Sequence, residues 1–144
     1  MIDPPFRSPR TKLGGLHHLG RMLDKIRCDL AGTLPEEYRP NLGLSVALDG
    51  FICGFLRVQF ADVRQKIFEG LSDDEMLEWC FATGLRPNSM QCCIWNGFWE
   101  KFGWRDLATS VIDDLKKEEG LGDRPELQTA FDVIDEREGR GNKE

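Results

Sequence analysis

Long apolar runs are missing from this sequence, and no stretch approaches the roughly 20 consecutive apolar residues that a membrane-spanning helix requires. The opening residues, MIDPPFRSPR, also lack the apolar core of a secretory signal peptide. We therefore expect a protein that has no membrane partner.

Paired cysteines are also missing, since the sequence holds five cysteines and no CxxC motif. An odd number of cysteines in apolar surroundings argues against a disulfide scaffold. Reduced thiols are typical of the cytoplasm, and we predict a cytoplasmic location. The five cysteines are Cys28, Cys53, Cys80, Cys92 and Cys93.

The motifs of common metal and phosphate sites are absent as well. The only histidines are the neighbours His17 and His18, and neither an HxxxH nor an HExxH spacing occurs. The GxxxxGK[ST] pattern of a phosphate-binding loop is missing too. Because a metal needs three or four ligands at suitable spacing, we predict no metal site and no cofactor.

Charge is unevenly distributed along the chain, and residues 28–144 contain 13 basic and 23 acidic side chains. The formal net charge is −6, yet residues 1–27 contain six basic and only two acidic side chains. An acidic chain repels a phosphate backbone, so we expect no nucleic-acid partner. The basic opening can attract a small anion, or it can pair with the acidic remainder.

The residues that are present predict one helical domain. A chain of 144 residues with 40% hydrophobic side chains is long enough for a single core. Apolar residues recur at helical spacing, and no convincing alternating strand occurs. We predict an all-α fold, an irregular bundle of about six or seven mostly short helices over residues 1–144, with an extended arm at 1–12 and a flexible tail at 139–144.

In the first half of the chain, the apolar spacing predicts a helix that begins at Leu16 and ends near Gly32. Short helices are expected over 48–55 and 61–69. Ser72 and Glu75 form the sequence pattern of a capping box, which predicts the start of the next helix.

In the second half, residues 88–103 are apolar almost all round, which favours a central helix with Trp95, Phe98 and Phe102 facing inward. A helix over 105–120 is expected to bury its apolar side chains. A last helix is expected to begin with Asp123 as its cap and Glu126 completing a capping box. The side chains expected to be buried on the 105–120 helix are Leu107, Val111, Ile112 and Leu115.

The segment RSPRTKLGGLHHLGRMLDK, residues 7–25, resembles the N-terminal signature of an uncharacterised bacterial family, a domain of unknown function. The pattern that carries the resemblance is SPR-x-K-L-G-G-L-x-x-L-x-R-M-x-D-K. Three later segments, LDGFICGFL, SDDEMLEWC and IDEREGR, also look like that family. The resemblance implies a small helical domain and implies no activity, substrate or cofactor.

Residues 10–25, which we call the basic box, form the candidate site. Glycines allow a close backbone approach to a ligand, and a helix start offers free amides. On the predicted helix from Leu16, the four-residue spacing of His17, Arg21 and Lys25 places them on one helix face. The seven candidate anion-binding residues are Arg10, Lys12, Gly14, Gly15, His17, Arg21 and Lys25.

The alternative interpretation of the basic box is structural. Gly14 and Gly15 then form only a turn, and the cations pair with acidic groups of the body. Asp24, three residues from Arg21, is the expected partner on the same helix.

Two functional classes follow from these patterns. We predict a small binding or interaction module whose partner is a protein or a small anion, and an exposed Trp99 or Trp104 would mark its contact surface. The alternative is an enzyme or sensor acting on a phosphate- or carboxylate-bearing small molecule at the basic box. In that case Arg21 and Lys25 hold the charge, and His17 serves as an acid or base.

Overall fold

The computed structural model describes residues 5–140. Seven α-helices and one short 3₁₀ helix dominate this part of the chain, which confirms the predicted all-α fold; a small β-hairpin precedes them. The elements are β1 (Lys12–Leu13), β2 (Leu16–His17), α1 (Leu19–Leu30), the 3₁₀ helix (Glu36–Asn41), α2 (Leu48–Leu56), α3 (Phe60–Phe68), α4 (Asp73–Thr83), α5 (Ser89–Lys101), α6 (Thr109–Glu118) and α7 (Ala130–Arg137).

The hairpin replaces the predicted first turn of helix. Strands β1 and β2 pair antiparallel, with Lys12 opposite His17. Gly14 and Gly15 connect them with φ angles of 60° and 80°. Two consecutive left-handed residues are what a two-residue type I′ turn requires. Leu16 and His17 therefore pair with β1 as a strand, and the helix begins at Leu19 instead of Leu16.

Helix α1 lies at the centre of the core. His18 precedes it with a φ of 73°, a left-handed conformation that is uncommon for a residue other than glycine. The apolar side of α1, at three-four spacing, is almost completely buried; α1 packs mainly on α3, in a core cluster that also holds side chains of α2, α4 and α7. The buried core residues of α1 are Leu19, Met22, Leu23 and Ile26, and their most buried neighbours are Ile52, Leu56, Val63, Met76 and Phe131.

The capping box at the start of α4 is confirmed. The Ser72 hydroxyl accepts a hydrogen bond from the Glu75 amide at 3.2 Å, and the Glu75 carboxylate accepts one from the Ser72 amide at 2.9 Å. Asn88 and Gln91 form the equivalent pair before α5. These side chains satisfy amides that have no partner inside their own helix.

Helix α5 is not central, contrary to the prediction. Only Trp95, Asn96 and Trp99 are buried on it, whereas Phe98 is 55% exposed. An apolar composition all round the helix does not determine which side packs against the body. Here one side contacts β2 and α7, and the opposite side faces solvent.

The last two helices begin later than predicted. Helix α6 starts at Thr109, and Leu107 and Val111 are exposed, although Ile112 is buried as expected. Residues 123–129 form no helix, and the Arg124 carbonyl in this loop accepts a hydrogen bond from Lys116 at 2.8 Å. The capping box that begins α7 consists instead of Thr129 and Asp132.

The segment before the hairpin packs against the helices. Residues 5–11 contain neither helix nor strand, and Phe6 is buried beside Tyr38 with 4.8 Å between ring centroids. At the other end, Arg140 donates a hydrogen bond to the Phe6 carbonyl at 2.6 Å. Residues 1–4 of the predicted arm and 141–144 of the predicted tail lie outside the described residues.

Across residues 5–140, every helix is too short or too polar to cross a bilayer.

Candidate functional site

A cavity of about 230 Å³ lies where α1, α2, α6, α7 and the 3₁₀ helix converge. Buried polar side chains form part of its lining, among them a histidine, a lysine and an aspartate. The lining residues are His18, Arg21, Lys25, Tyr38, Asn41, Ala47, Leu48, Asp49, Leu115, Ile134 and Arg137.

Asp49 organises one side of this cavity. One of its carboxylate oxygens accepts a hydrogen bond from His18 Nε2 at 2.7 Å. The other oxygen lies 3.0 Å from the Lys25 ammonium and accepts a bond from the Gly43 amide at 3.0 Å. The Asp49 side chain is fully buried, so α2 and α1 are joined through an ion pair that excludes water.

The protonation states follow from these contacts. Burial lowers the pKa of His18 because it penalises the imidazolium, and the hydrogen bond to Asp49 only partly offsets this effect. Burial opposes ionisation of Asp49, but its bonds with His18, Lys25 and the Gly43 amide hold the pKa of that carboxyl below its usual range. A neutral His18 that donates through Nε2 has a lone pair on Nδ1.

His18 Nδ1 has no hydrogen-bond partner, although the side chain is only 2% exposed. The Nε atom of Arg137 is also buried without a partner. The rest of the Arg137 guanidinium lies 5.4 Å from the Tyr38 ring centroid and 3.5 Å from Glu119. These two nitrogens are the only buried side-chain N or O atoms of residues 5–140 that lack a partner, and both residues line the same cavity.

Arg21 also reaches the cavity, but its guanidinium is committed to Glu138. Its two terminal nitrogens donate to the two carboxylate oxygens at 2.8 and 2.6 Å. Tyr38 donates its hydroxyl to the same carboxylate at 2.8 Å, and burial together with this bond raises the pKa of Tyr38 to about 12. The predicted Arg21–Asp24 pair is wrong, since Asp24 binds Arg7 instead, at 2.8 Å.

Of the seven candidate anion-binding residues, only Arg21 and Lys25 line this cavity. Arg10 extends to α7, where it pairs with Asp132 and with Asp135. Lys12 and Gly15 lie at an open groove of about 590 Å³ beside α5. Gly14 packs closely against α4: a Cβ atom at this position would lie only 2.7 Å from the Leu77 side chain.

His17 belongs to β2, so the predicted helix face shared with Arg21 does not exist. Its Nδ1 lies 2.8 Å from the Arg10 carbonyl, and its Nε2 lies 2.6 Å from the Glu100 carboxylate. Both neighbours only accept hydrogen bonds, so His17 is held between two acceptors and is not free to bind an anion. The bond from His17 lowers the pKa of Glu100.

Sequence reasoning missed His18, Asp49, Arg137 and Glu138 as site residues. Asp49 carries a usable signal, since a lone acid inside the apolar segment VALDGFICGFL needs a buried partner. Arg137 and Glu138 carry no such sequence signal, because they belong to a polar, charged segment that is typical of a solvated helix end. Among residues 5–140, no three His, Cys, Asp or Glu side chains are grouped closely enough to hold a metal ion.

The stability of the protein is expected to fall as the pH drops from 7 to 5. Unfolded His18 takes up a proton near its ordinary pKa of about 6.5. The folded protein resists this protonation because the pKa of buried His18 is lowered, so the unfolded state gains protons first. One proton contributes a slope of at most about 1.4 kcal/mol per pH unit.

Urea unfolding at pH 7, 6 and 5 measures this slope in the wild type and in His18→Asn. Asparagine tolerates the left-handed backbone and does not titrate in this range. We expect a flatter pH dependence in the variant. An identical slope in both proteins would assign the effect to other groups.

The comparisons with known proteins identify one family. The model of the family DUF5069, described as a domain of unknown function, matches residues 3–140. No curated protein gave a match. The matched range includes every residue that lines the cavity. The chain therefore belongs to the DUF5069 family, a domain of unknown function.

Proposed function

We propose that this protein binds a small monocarboxylate that also carries a hydroxyl or amino group, and that the ligand occupies the cavity between α1 and α7. The observation that supports this proposal is the pair of buried, unpartnered nitrogens, His18 Nδ1 and Arg137 Nε, in the lining of one cavity. Leaving a buried polar group unpaired costs about 1–3 kcal/mol, and such groups are rare in folded proteins. A ligand that pairs both groups removes this penalty.

The two nitrogens require complementary groups. A neutral His18 presents a lone pair on Nδ1, so it pairs with a hydroxyl or amine hydrogen. The Nε–H of Arg137 donates, and a carboxylate is its strongest acceptor. A hydroxy or amino acid carries both functions on a short skeleton.

The charge of the lining and the size of the cavity narrow the class of ligand further. Lys25 is balanced by Asp49 and Arg21 by Glu138, so Arg137 is the cation left to attract a ligand. Its contact with Glu119 is 3.5 Å long and partly exposed, and a closer carboxylate can displace it. A single cation favours one negative charge over a multiply charged phosphate. The volume of about 230 Å³ lies below the range of drug-sized pockets, which favours a ligand of few heavy atoms.

Acid–base catalysis is a second candidate function, supported by the 2.7 Å contact between His18 Nε2 and Asp49. A carboxylate that fixes the tautomer of a histidine leaves the other nitrogen free to accept a proton. The same ligand hydroxyl or amine that bonds to Nδ1 would then be the proton donor.

An NMR titration of ¹⁵N-labelled protein with sodium lactate and sodium acetate tests the binding proposal. Lactate is expected to shift the Arg137 Nε–H and the His18 ring resonances. A neutral hydrogen bond contributes about 1 kcal/mol, so acetate, which lacks the hydroxyl, is expected to bind about fivefold more weakly.

Arg137→Gln is expected to abolish the response, whereas Arg86→Gln is the matched control because Arg86 is exposed and remote from the cavity. Glycine and glycolate extend the panel to smaller and amino-bearing probes. The proposal fails if no member of the panel moves the His18 and Arg137 signals of the wild type, or if Arg137→Gln leaves the response of the His18 signals intact.

A further inference from the structure

Three lysine and arginine side chains line the cavity, and each pairs with an acidic side chain. Two of these carboxylates are fully buried and lie 2.6 and 3.0 Å from their cations. The third, on Glu119, is 31% exposed and lies 3.5 Å from Arg137. Glu119 is therefore the acidic partner that can turn into water at low cost. The three pairs are Arg21–Glu138, Lys25–Asp49 and Arg137–Glu119.

Glu119 directly follows α6 and lies at the edge of the cavity. Its amide donates a hydrogen bond to the Leu115 carbonyl at 3.0 Å, and Leu115 lines the cavity one helical turn earlier. The carboxyl end of a helix carries a partial negative charge, which repels a carboxylate. This repulsion favours release of Glu119 when a ligand offers Arg137 another carboxylate.

We infer that Glu119 is the specificity-determining residue of this site, because it gives way to one ligand carboxylate and repels a second. This inference rests on the proposed binding of a monocarboxylate in the cavity. The three ion pairs together carry no net charge. A ligand with one carboxylate takes the place of Glu119 on Arg137. A second carboxylate on the same ligand finds no cation left to pair with at the cavity.

Glu119 stays close to the ligand after it is displaced. Its backbone amide remains bound to α6, so its carboxylate stays within a side chain's length of Arg137. Negative charges separated by a few ångströms repel each other even in water. A hydroxy or amino acid with a single carboxylate avoids this repulsion, whereas a dicarboxylate does not.

Titration of Glu119→Gln with sodium lactate and sodium malate at constant ionic strength tests this inference, with the His18 ring resonances as the readout. Both ligands carry a hydroxyl, and malate adds a second carboxylate. Removing the competing charge is expected to strengthen lactate binding by about fivefold. Malate also escapes the repulsion, so its affinity is expected to rise by about 25-fold. The preference for lactate over malate is therefore expected to fall by about fivefold.

Glu118→Gln is the matched control, because Glu118 is the adjacent residue, carries the same charge and is exposed. Solvent screens its charge, so both affinities are expected to stay within about twofold of the wild type. Unchanged affinities in Glu119→Gln, equal gains for lactate and malate, or an equal effect of Glu118→Gln overturn the inference and leave the proposed function intact. If neither ligand moves the His18 signals in the wild type or in either variant, the inference and the proposed binding of lactate both fail.

Discussion

Arg21→Ala is expected to lower the free energy of unfolding by about 3–5 kcal/mol, because it removes the bidentate cation partner of a buried carboxylate. The Glu138 side chain is fully buried and receives two hydrogen bonds from Arg21. The remaining partners of Glu138 are Tyr38, which donates a neutral hydroxyl, and the partly exposed Arg140. Neither reproduces the bidentate pair.

Urea unfolding followed by circular dichroism measures this change. Arg27→Ala is the matched control, since Arg27 lies on the same helix and pairs with Asp24 and Asp73 at partly exposed positions. Exposed ion pairs contribute about 0–1 kcal/mol, so the control is expected to change stability little. Equal effects of the two substitutions would show that the Arg21–Glu138 pair contributes no more than a surface contact.

Trp95→Ala is expected to destabilise the protein by about 3–5 kcal/mol, the range for truncating a buried aromatic side chain. Trp95 is buried, and its ring packs against Phe55 and Trp99 with centroids 5.0 and 5.5 Å away. Its indole nitrogen donates a hydrogen bond to the His17 carbonyl at 3.1 Å, which fixes α5 to β2. The substitution therefore removes packing and leaves a buried carbonyl unpaired.

Phe68→Ala provides the comparison for Trp95→Ala, because Phe68 is 70% exposed and packs against little. Its effect on the free energy of unfolding is expected to be below about 1 kcal/mol. If Trp95→Ala also unfolds at the wild-type urea midpoint, then α5 contributes little to the stability of the core.

Short-range sequence patterns predicted those parts of the fold that depend only on residues close together in the chain. The Ser72–Glu75 box was predictable because both partners lie within four residues of each other. The buried side of α5 was not predictable from local sequence, because it depends on where β2 and α7 lie in the folded chain. The hairpin at Gly14–Gly15 had a sequence signal, two glycines between apolar residues, but the helical spacing from Leu16 competed with it.

The candidate site was only half predictable for a similar reason. Arg21 and Lys25 stand out because they lie one helical turn apart on an apolar helix. Their partners Asp49 and Glu138 are distant in sequence, and Arg21 and Glu138 are separated by 117 residues. No periodicity links such positions, so only the folded chain shows that these cations are neutralised and that His18 and Arg137 hold the unpartnered nitrogens.

The bond between Arg140 and the Phe6 carbonyl joins residues 134 positions apart, so the described chain is nearly a closed ring. Phe6 packs against the Arg21 guanidinium, and Arg140 pairs with Glu138, which is itself the partner of Arg21. Unfolding of one end is therefore expected to loosen the contacts of the other end. Closing so long a loop is entropically expensive, and it becomes favourable only after the helices between have assembled. We therefore expect the contact between residues 6 and 140 to form late in folding and to couple the two ends of the described chain in local unfolding.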